Sequence, residues 1–266
     1  MVRPAFSGSG APGGARPSSF EKPLSMKEPV TTAMVLAAGL GTRMRPLTDA
    51  VPKPLVRLKG KPLLDHVLDR LAADGIQRAV VNVHYMPDQI EAHVAGRTSP
   101  AITISDERGV LLDTGGGVAR ALPLLGDTPF LIHNSDSVWA EGIGSNIRRL
   151  VRAFDPERMD SLLLLALGAD SLGYDGRGDF AMASDGALTR RGERSEAPFV
   201  FAGVSIAHPR LFEDAPEAPF SLNVLWNRAM ARGRLFGLRL EGTWMHIGTP
   251  QAVDDAERWI DRAAGV

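Results

Sequence analysis

Cysteine is missing from all 266 residues. Its absence excludes disulfide staples, thiolate nucleophiles and cysteine-based zinc sites, and it suits a reducing, cytoplasmic setting. Long apolar runs are missing too. The longest, LLLLALGA from Leu162, falls far short of the roughly 20 residues that a membrane span needs, so no transmembrane helix and no membrane partner are expected. Nor does either charge dominate: 30 Lys and Arg against 31 Asp and Glu leave a formal charge of -1, which gives nucleic acid no basic surface to bind.

The apolar fraction of 44% and the charged fraction of 23% are those of a globular protein. The length suits one large domain or two small ones. Residues 1–30 are rich in Pro, Gly, Ser and Ala and too poor in apolar side chains to order themselves, so they are expected to be a disordered tail. They lack the apolar centre of a secretory signal, and Met26, just before the first strand pattern, offers an alternative start.

Beyond the tail, short apolar runs alternate with amphipathic segments. AMVLAA, RAVVNV, AITIS and PFLIHN read as strands, while residues 62–73, 87–95 and 115–125 read as helices. In residues 62–73 the side chains of Leu63, Leu64, Val67, Leu68 and Leu71 share one helical face. This alternation predicts an α/β, Rossmann-like fold with a mixed, mostly parallel sheet and helices on both faces, and ligands at the carboxyl ends of the strands. After Asp136 the rhythm loosens. SLLLLAL, DFAMASDGALTR, FVFAGVSIA, LFGLRL and TWMHI read as strands that extend the sheet, together with a lid, and residues 145–154, 221–233 and 250–264 read as helices.

The stretch MVLAAGLGTRMRPLTDAVPKPL, from Met34, carries the most chemistry. A strand ending in Ala37, Ala38, Gly39, Leu40, Gly41, Thr42 and Arg43 offers backbone N–H groups to phosphate oxygens, and Arg43 adds a planar fork. A lone G-x-G is often no more than a tight turn. The dinucleotide fingerprint needs a third glycine opening into a helix, where this loop runs on to Pro46, and the G-K-[ST] of a P-loop is absent, so neither a dehydrogenase nor a P-loop kinase fits. Pro46, Pro52 and Pro54 stiffen the segment and fix Lys53 in it, as a lysine aimed at one particular anion requires.

Over LAAGLGTRMRPLTDAVPKPL the chain resembles the signature loop of the sugar-1-phosphate nucleotidyltransferases, also known as nucleotide-sugar pyrophosphorylases. The resemblance extends over residues 32–262. It implies a glycosyltransferase-A-like fold in a single domain, residues 31–266, with a nucleotide-binding half at 31–140 and a sugar-binding half at 141–266. It implies that a nucleoside triphosphate and a sugar 1-phosphate are the partners, with the triphosphate on Ala37, Ala38, Gly39, Gly41, Thr42 and Arg43, and with Arg43, Lys53 and Asp136 carrying the catalysis.

Three further segments match the family. IHNSDSVW brings Asn134 and Asp136 to a strand end in place of the family's N-G-D. Asp136 thereby inherits the role of ligand to Mg²⁺, and Asn134 that of sugar contact, although an aspartate there would also serve to cap a helix. GVLLDTGGGVARAL is similar to the base-lining L-E-T-G-G-G of enzymes that join uridine nucleotides to N-acetylmuramate 1-phosphate. Asp113, Gly115 and Gly116 follow as base contacts, while tight helix packing is the plain alternative for the glycines. GYDGRGDF and FVFAGVSI resemble sugar-side segments of the same enzymes and point to Asp179 and Gly203; Asp179 also reads as a turn residue.

One departure stands out. In TWMHIGTP the family's second metal-binding aspartate is His246, a neutral donor that suits Mn²⁺ or a softer ion better than Mg²⁺ and that also reads as a structural residue. The resemblance favours uridylyl transfer to N-acetylmuramate 1-phosphate, a step of cell-wall sugar recycling. Mannose-1-phosphate guanylyl transfer comes second, and a non-catalytic nucleotide-sugar sensor is the reading from another class. No segment identifies an interface between copies.

Overall fold

The computed structural model describes residues 1–2, 29–217 and 219–265. Most of the expected disordered tail, residues 3–28, lies outside the described residues. Val30, at the end of that expected tail, is buried in the core.

Thr32–Leu36 forms β1, and Arg57–Leu58 and Lys61–Pro62 form the small hairpin β2–β3. Helix α1 is Leu63–Ala73, β4 Arg78–Val83, α2 Pro87–Val94, β5 Ala101–Asp106, α3 Asp113–Leu125 and β6 Phe130–Asn134. Then come β7 at Ser137–Glu141, α4 at Asn146–Ala153 and β8 at Ser161–Leu167. The chain continues with β9 at Phe180–Met182, β10 at Leu188–Arg190, β11 at Phe199–Ala207 and α5 at Leu222–Ala231. It ends with β12 at Leu235–Arg239, β13 at Gly242–His246 and α6 at Pro250–Ala264.

Strands β5, β4, β1 and β6 run parallel, with α1 on the connection from β1 to β4, α2 on that from β4 to β5 and α3 on that from β5 to β6, as parallel strands require. The sheet then reverses: β11 lies antiparallel to both β6 and β8, and β12 runs parallel to β8. The fold is thus a mixed sheet with a mostly parallel core, as the alternation predicts.

Alternation along the strands divides the core by face. Ala33, Val35, Val81 and Leu131 pack with α1, α2 and α4, whereas Met34, Val80 and Ile132 pack with α3 and α5. The five apolar residues predicted for one face of α1 are all buried. Among the described residues no helix is long and apolar enough to cross a membrane.

TWMHI does not extend the main sheet as expected. Its strand, β13, pairs antiparallel with β7 in a separate two-stranded sheet. This ribbon packs Val138 and Met245 on Val253 and Ala256 of α6. Strand β7 has no counterpart in the sequence pattern, which marks PFLIHN as a strand and the next element only at residue 145.

Candidate active site

The parallel strands end at a cleft of about 550 Å³. Ala37, Ala38, Gly39, Gly41, Thr42 and Arg43 from the loop after β1 line it. Lys53, Asp113, Asn134 and Asp136 do so as well. Ten residues singled out from three separate segments therefore meet in one place, at the strand ends where open α/β sheets bind ligands.

The loop is held from below. Gly41 has φ +63, and a Cβ there would lie 2.9 Å from Thr48 Cγ2 and 3.1 Å from Lys53 Cβ. The Thr48 hydroxyl, buried, donates to the Gly41 carbonyl at 2.8 Å, and the Tyr85 hydroxyl donates to the Thr48 carbonyl at 2.9 Å. A side chain at Gly41 would meet both a left-handed backbone and a close neighbour. Gly41→Ala is expected to raise KM for the nucleotide about tenfold, since roughly 1–2 kcal/mol of strain is a factor of that size. Steady-state kinetics beside a thermal melt would check it, an unchanged KM counting against the role of this turn.

Lys53 opens a short 3-10 turn, Lys53–Leu55, in which Leu55 N–H donates to the Pro52 carbonyl at 2.8 Å and Val56 N–H to the Lys53 carbonyl at 3.0 Å. Pro54 is buried beneath it. The braced backbone sends the ammonium straight to the Asp136 carboxylate, with which it forms an ion pair. The Lys53 side chain is 13% exposed and that of Asp136 29%, so the lysine is largely enclosed while the carboxylate keeps a face on the cleft. Arg43, on the same cleft, is exposed, with no carboxylate recorded beside it among the described residues.

The donor set bears on the divalent ion that the resemblance implies. Among the described residues no group of three or more His, Cys, Asp or Glu could hold a metal. One cleft-facing carboxylate is nevertheless what Mg²⁺ commonly takes from a protein when phosphate oxygens and water complete its shell. Asp136 fits a magnesium ion that arrives with the triphosphate.

The β7–β13 ladder sets His246 opposite Ser137, one residue beyond Asp136. Its ring meets Tyr174 edge-on at 6.4 Å and lies 5.5 Å from Trp244. Burial pushes its pKa down; the Asp136 carboxylate opposes that shift, while Lys53 and Arg43 reinforce it. A neutral imidazole thus stands in the neighbourhood of the carboxylate, although it does not itself line the cleft.

Gly115, Gly116, Asp179 and Gly203 do not line the cleft, and Asp113, which does, is engaged locally. Gly115 and Gly116 donate their N–H groups to the Phe220 carbonyl, at 2.8 and 3.0 Å, and so do not offer them to a base. A Cβ on Gly115 would sit 2.4 Å from the Phe220 ring, which makes close packing against the segment before α5 the reason for glycine. Asp113 starts α3 at φ +60, with its carboxylate on the Thr114 N–H at 2.5 Å. Asp179 accepts from the Phe201 N–H at 3.0 Å and so ties the start of β9 to β11, a cross-strand bond rather than a turn contact. Gly203, at φ +81 in the β11 irregularity, passes so close to the cleft floor that a Cβ would lie 2.7 Å from Ser137 Cβ and 3.3 Å from Asn134 Nδ2.

Three neighbours of the site went unread in the sequence: Asn82, Glu107 and His133. All are buried polar residues in or beside strands, and a polar residue inside an apolar strand, as in VVNV or LIHN, was the signal available. His133 lies behind the Asn134–Asp136 turn, stacked on Trp139 at 5.6 Å, with Nδ1 on the Asn134 carbonyl at 2.8 Å and Nε2 unpartnered. Burial pushes its pKa down to about 4. Between the ordinary value near 6.5 and that value the unfolded chain takes up a proton that the folded protein refuses, so stability falls as pH falls through this window. Urea unfolding is expected to show a loss of about 3 kcal/mol from this group between pH 7 and 4, and a flatter profile in His133→Leu. Equal profiles for the two proteins would contradict it.

Known proteins resemble the chain over as much as 90% of its length. The Nucleotidyl transferase family model matches residues 32–171. The N-acetylmuramate alpha-1-phosphate uridylyltransferase of Caulobacter vibrioides is 49% identical over 242 residues, 90% of this chain and 100% of that protein. The enzyme of the same name from Neisseria meningitidis serogroup B is 33% identical over 228 residues, 85% of this chain and 96% of its own. The solved inositol-1-phosphate CTP transferase of T. maritima superposes with a TM-score of 0.70 over 88% of this chain and 98% of its own, at 17% identity, and so shares the fold.

Proposed function

The chain belongs to the nucleotidyl transferase family and is a sugar-1-phosphate nucleotidyltransferase, and from that premise we propose that it transfers a uridylyl group from UTP to N-acetylmuramate 1-phosphate. The likeness to the C. vibrioides protein, 49% over its whole length, carries the choice of substrates. Such a reaction belongs among those that reuse cell-wall sugars, in the cytoplasm where UTP is made.

A phosphate oxygen of the sugar 1-phosphate attacks the α-phosphorus of UTP in line. The new P–O bond forms as the bond to the β-phosphate oxygen breaks, and pyrophosphate leaves with its electron pair. No protein atom needs to bond to phosphorus; position and charge do the catalytic work. Arg43 and the backbone of Gly39 and Gly41 hold the departing pyrophosphate. Lys53 offsets the charge that accumulates where the sugar phosphate meets the α-phosphate, and its pairing with Asp136 supports this assignment. Asp136 would hold Mg²⁺, with His246 as its neighbour, and the ion would supply neutralisation of phosphate charge.

Pyrophosphate release tests the proposal. With Mg²⁺, UTP and N-acetylmuramate 1-phosphate should turn over, and GTP with mannose 1-phosphate should not. The reverse pattern would make the protein a mannose-1-phosphate guanylyltransferase. Repeating the assay with Mn²⁺ reads the contribution of His246: a higher rate than with Mg²⁺ is expected only if the imidazole enters the metal's shell.

A further inference from the structure

Where β1 leaves the sheet to become the nucleotide loop, its backbone partner changes. The β1–β4 ladder runs as far as Val35 and Val81, and the next contact is made by a side chain: Ala37 N–H donates to Asn82 Oδ1 at 2.7 Å. Asn82 is 2% exposed, and its Nδ2 donates to Glu107 Oε1 at 2.8 Å. Glu107, 1% exposed, follows β5; its own N–H donates to the Val83 carbonyl at 2.9 Å and its carbonyl meets His84 Nδ1 at 2.8 Å. Helix α3 closes the remaining side at Gly117, where a Cβ would stand 2.8 Å from both Asn82 Nδ2 and Glu107 Oε1.

An asparagine amide has two faces of similar shape and opposite hydrogen-bonding character. If Asn82 flipped, its NH₂ would meet the Ala37 N–H, donor against donor, and the loop would lose its anchor. Glu107 prevents the flip, because a carboxylate oxygen accepts only from the NH₂ face. We infer that Asn82 and Glu107 are positioning residues for nucleotide binding: Glu107 fixes the orientation of Asn82, and Asn82 fixes the Ala37 amide from which the triphosphate loop departs. The Glu107 carboxyl is buried, and the bond from Asn82 together with the Leu112 backbone offsets part of the cost of burying it. Burial pushes the Glu107 pKa up, while the bonds from Asn82 and the Leu112 backbone oppose that shift and favour the carboxylate that only accepts.

The inference rests on the reading of this loop as a nucleoside triphosphate site, and two measurements separate the two. In the unliganded protein, Ala37 amide exchange should speed up at least tenfold in Glu107→Ala relative to its β1 neighbours and stay near wild type in Glu107→Gln, which keeps the acceptor oxygen. Isothermal titration with UTP should show about tenfold weaker binding in Glu107→Ala and recovery in Glu107→Gln, with KM for UTP rising while kcat holds. Should Glu107→Ala not fold, Asn82→Asp sets carboxylate against carboxylate and should weaken UTP about tenfold, and adding Glu107→Gln should restore it by supplying a donor. Unchanged Ala37 exchange, equal damage from Ala and Gln, or no recovery in the double variant would overturn the inference. Failure of wild type to bind UTP would instead overturn the function, with the exchange measurement still deciding this point.

Discussion

Lys53→Met is expected to lower kcat by about 10²–10³, the usual cost of removing one preorganised charge from a transition state, and to leave KM for UTP within about twofold. The split follows from the geometry. Lys53 reaches the Asp136 end of the cleft, where a carboxylate already gathers positive charge, whereas Arg43 and the glycine backbone line the loop that would hold the triphosphate. Deleting the ammonium therefore removes an interaction that strengthens as charge shifts during the reaction. Methionine keeps the length and packing of the stem over Pro54 and Gly41, so the fold should persist, with a loss of about 1 kcal/mol or less because the Asp136 carboxylate stays in reach of water. Lys53→Arg should not restore the rate, since a planar fork differs in shape from a compact ammonium on a braced turn. Single-turnover kinetics with a melt decide it, and a variant that turns over at more than a tenth of the wild-type rate would remove Lys53 from the catalytic set.

That prediction depends on a contact the sequence could express only by halves. The bracing of Lys53 was legible, because Pro52 and Pro54 restrict the backbone wherever they stand, and the 3-10 turn between them follows from local sterics. Its partner was not: Lys53 and Asp136 are 83 residues apart and meet because β1 and β6 are neighbours in the sheet, which strand periodicity does not specify. The same holds for His246, which reaches the site through the ladder of β7 and β13. β7 follows β6 after two residues, too short an interval for an alternation of strand and helix to expose it. The glycines of α3 failed for the opposite reason. A run of three at a helix start advertises open N–H groups, but Phe220, from a segment 105 residues beyond Gly115, had already taken two of them. Local chemistry was readable; apart from β7, the misreadings concerned what a distant segment brings.

Asp136→Asn should slow the enzyme by a similar factor of about 10²–10³, and the double variant Lys53→Met with Asp136→Asn should be about as slow as the worse single, not slower by the product. Asparagine keeps the size and one oxygen of the carboxylate but gives up the charge that suits Mg²⁺, so the single variant should also need more Mg²⁺ for half-maximal rate. It leaves Lys53 without its counter-ion, free to follow the sugar phosphate or to swing from the position the turn prepares. The two side chains form one ion pair in the cleft, so removing either should disorganise what the other does. Residues that act as a unit lose their joint effect with the first deletion, which is why the second should cost little. Rates that multiply would mean that the lysine and the carboxylate serve separate steps, each needing the other only to stay neutral in the unliganded protein. The remaining activity would then locate the rest of the catalysis in Arg43 and the loop, whose proposed hold on the triphosphate depends on neither member of the pair.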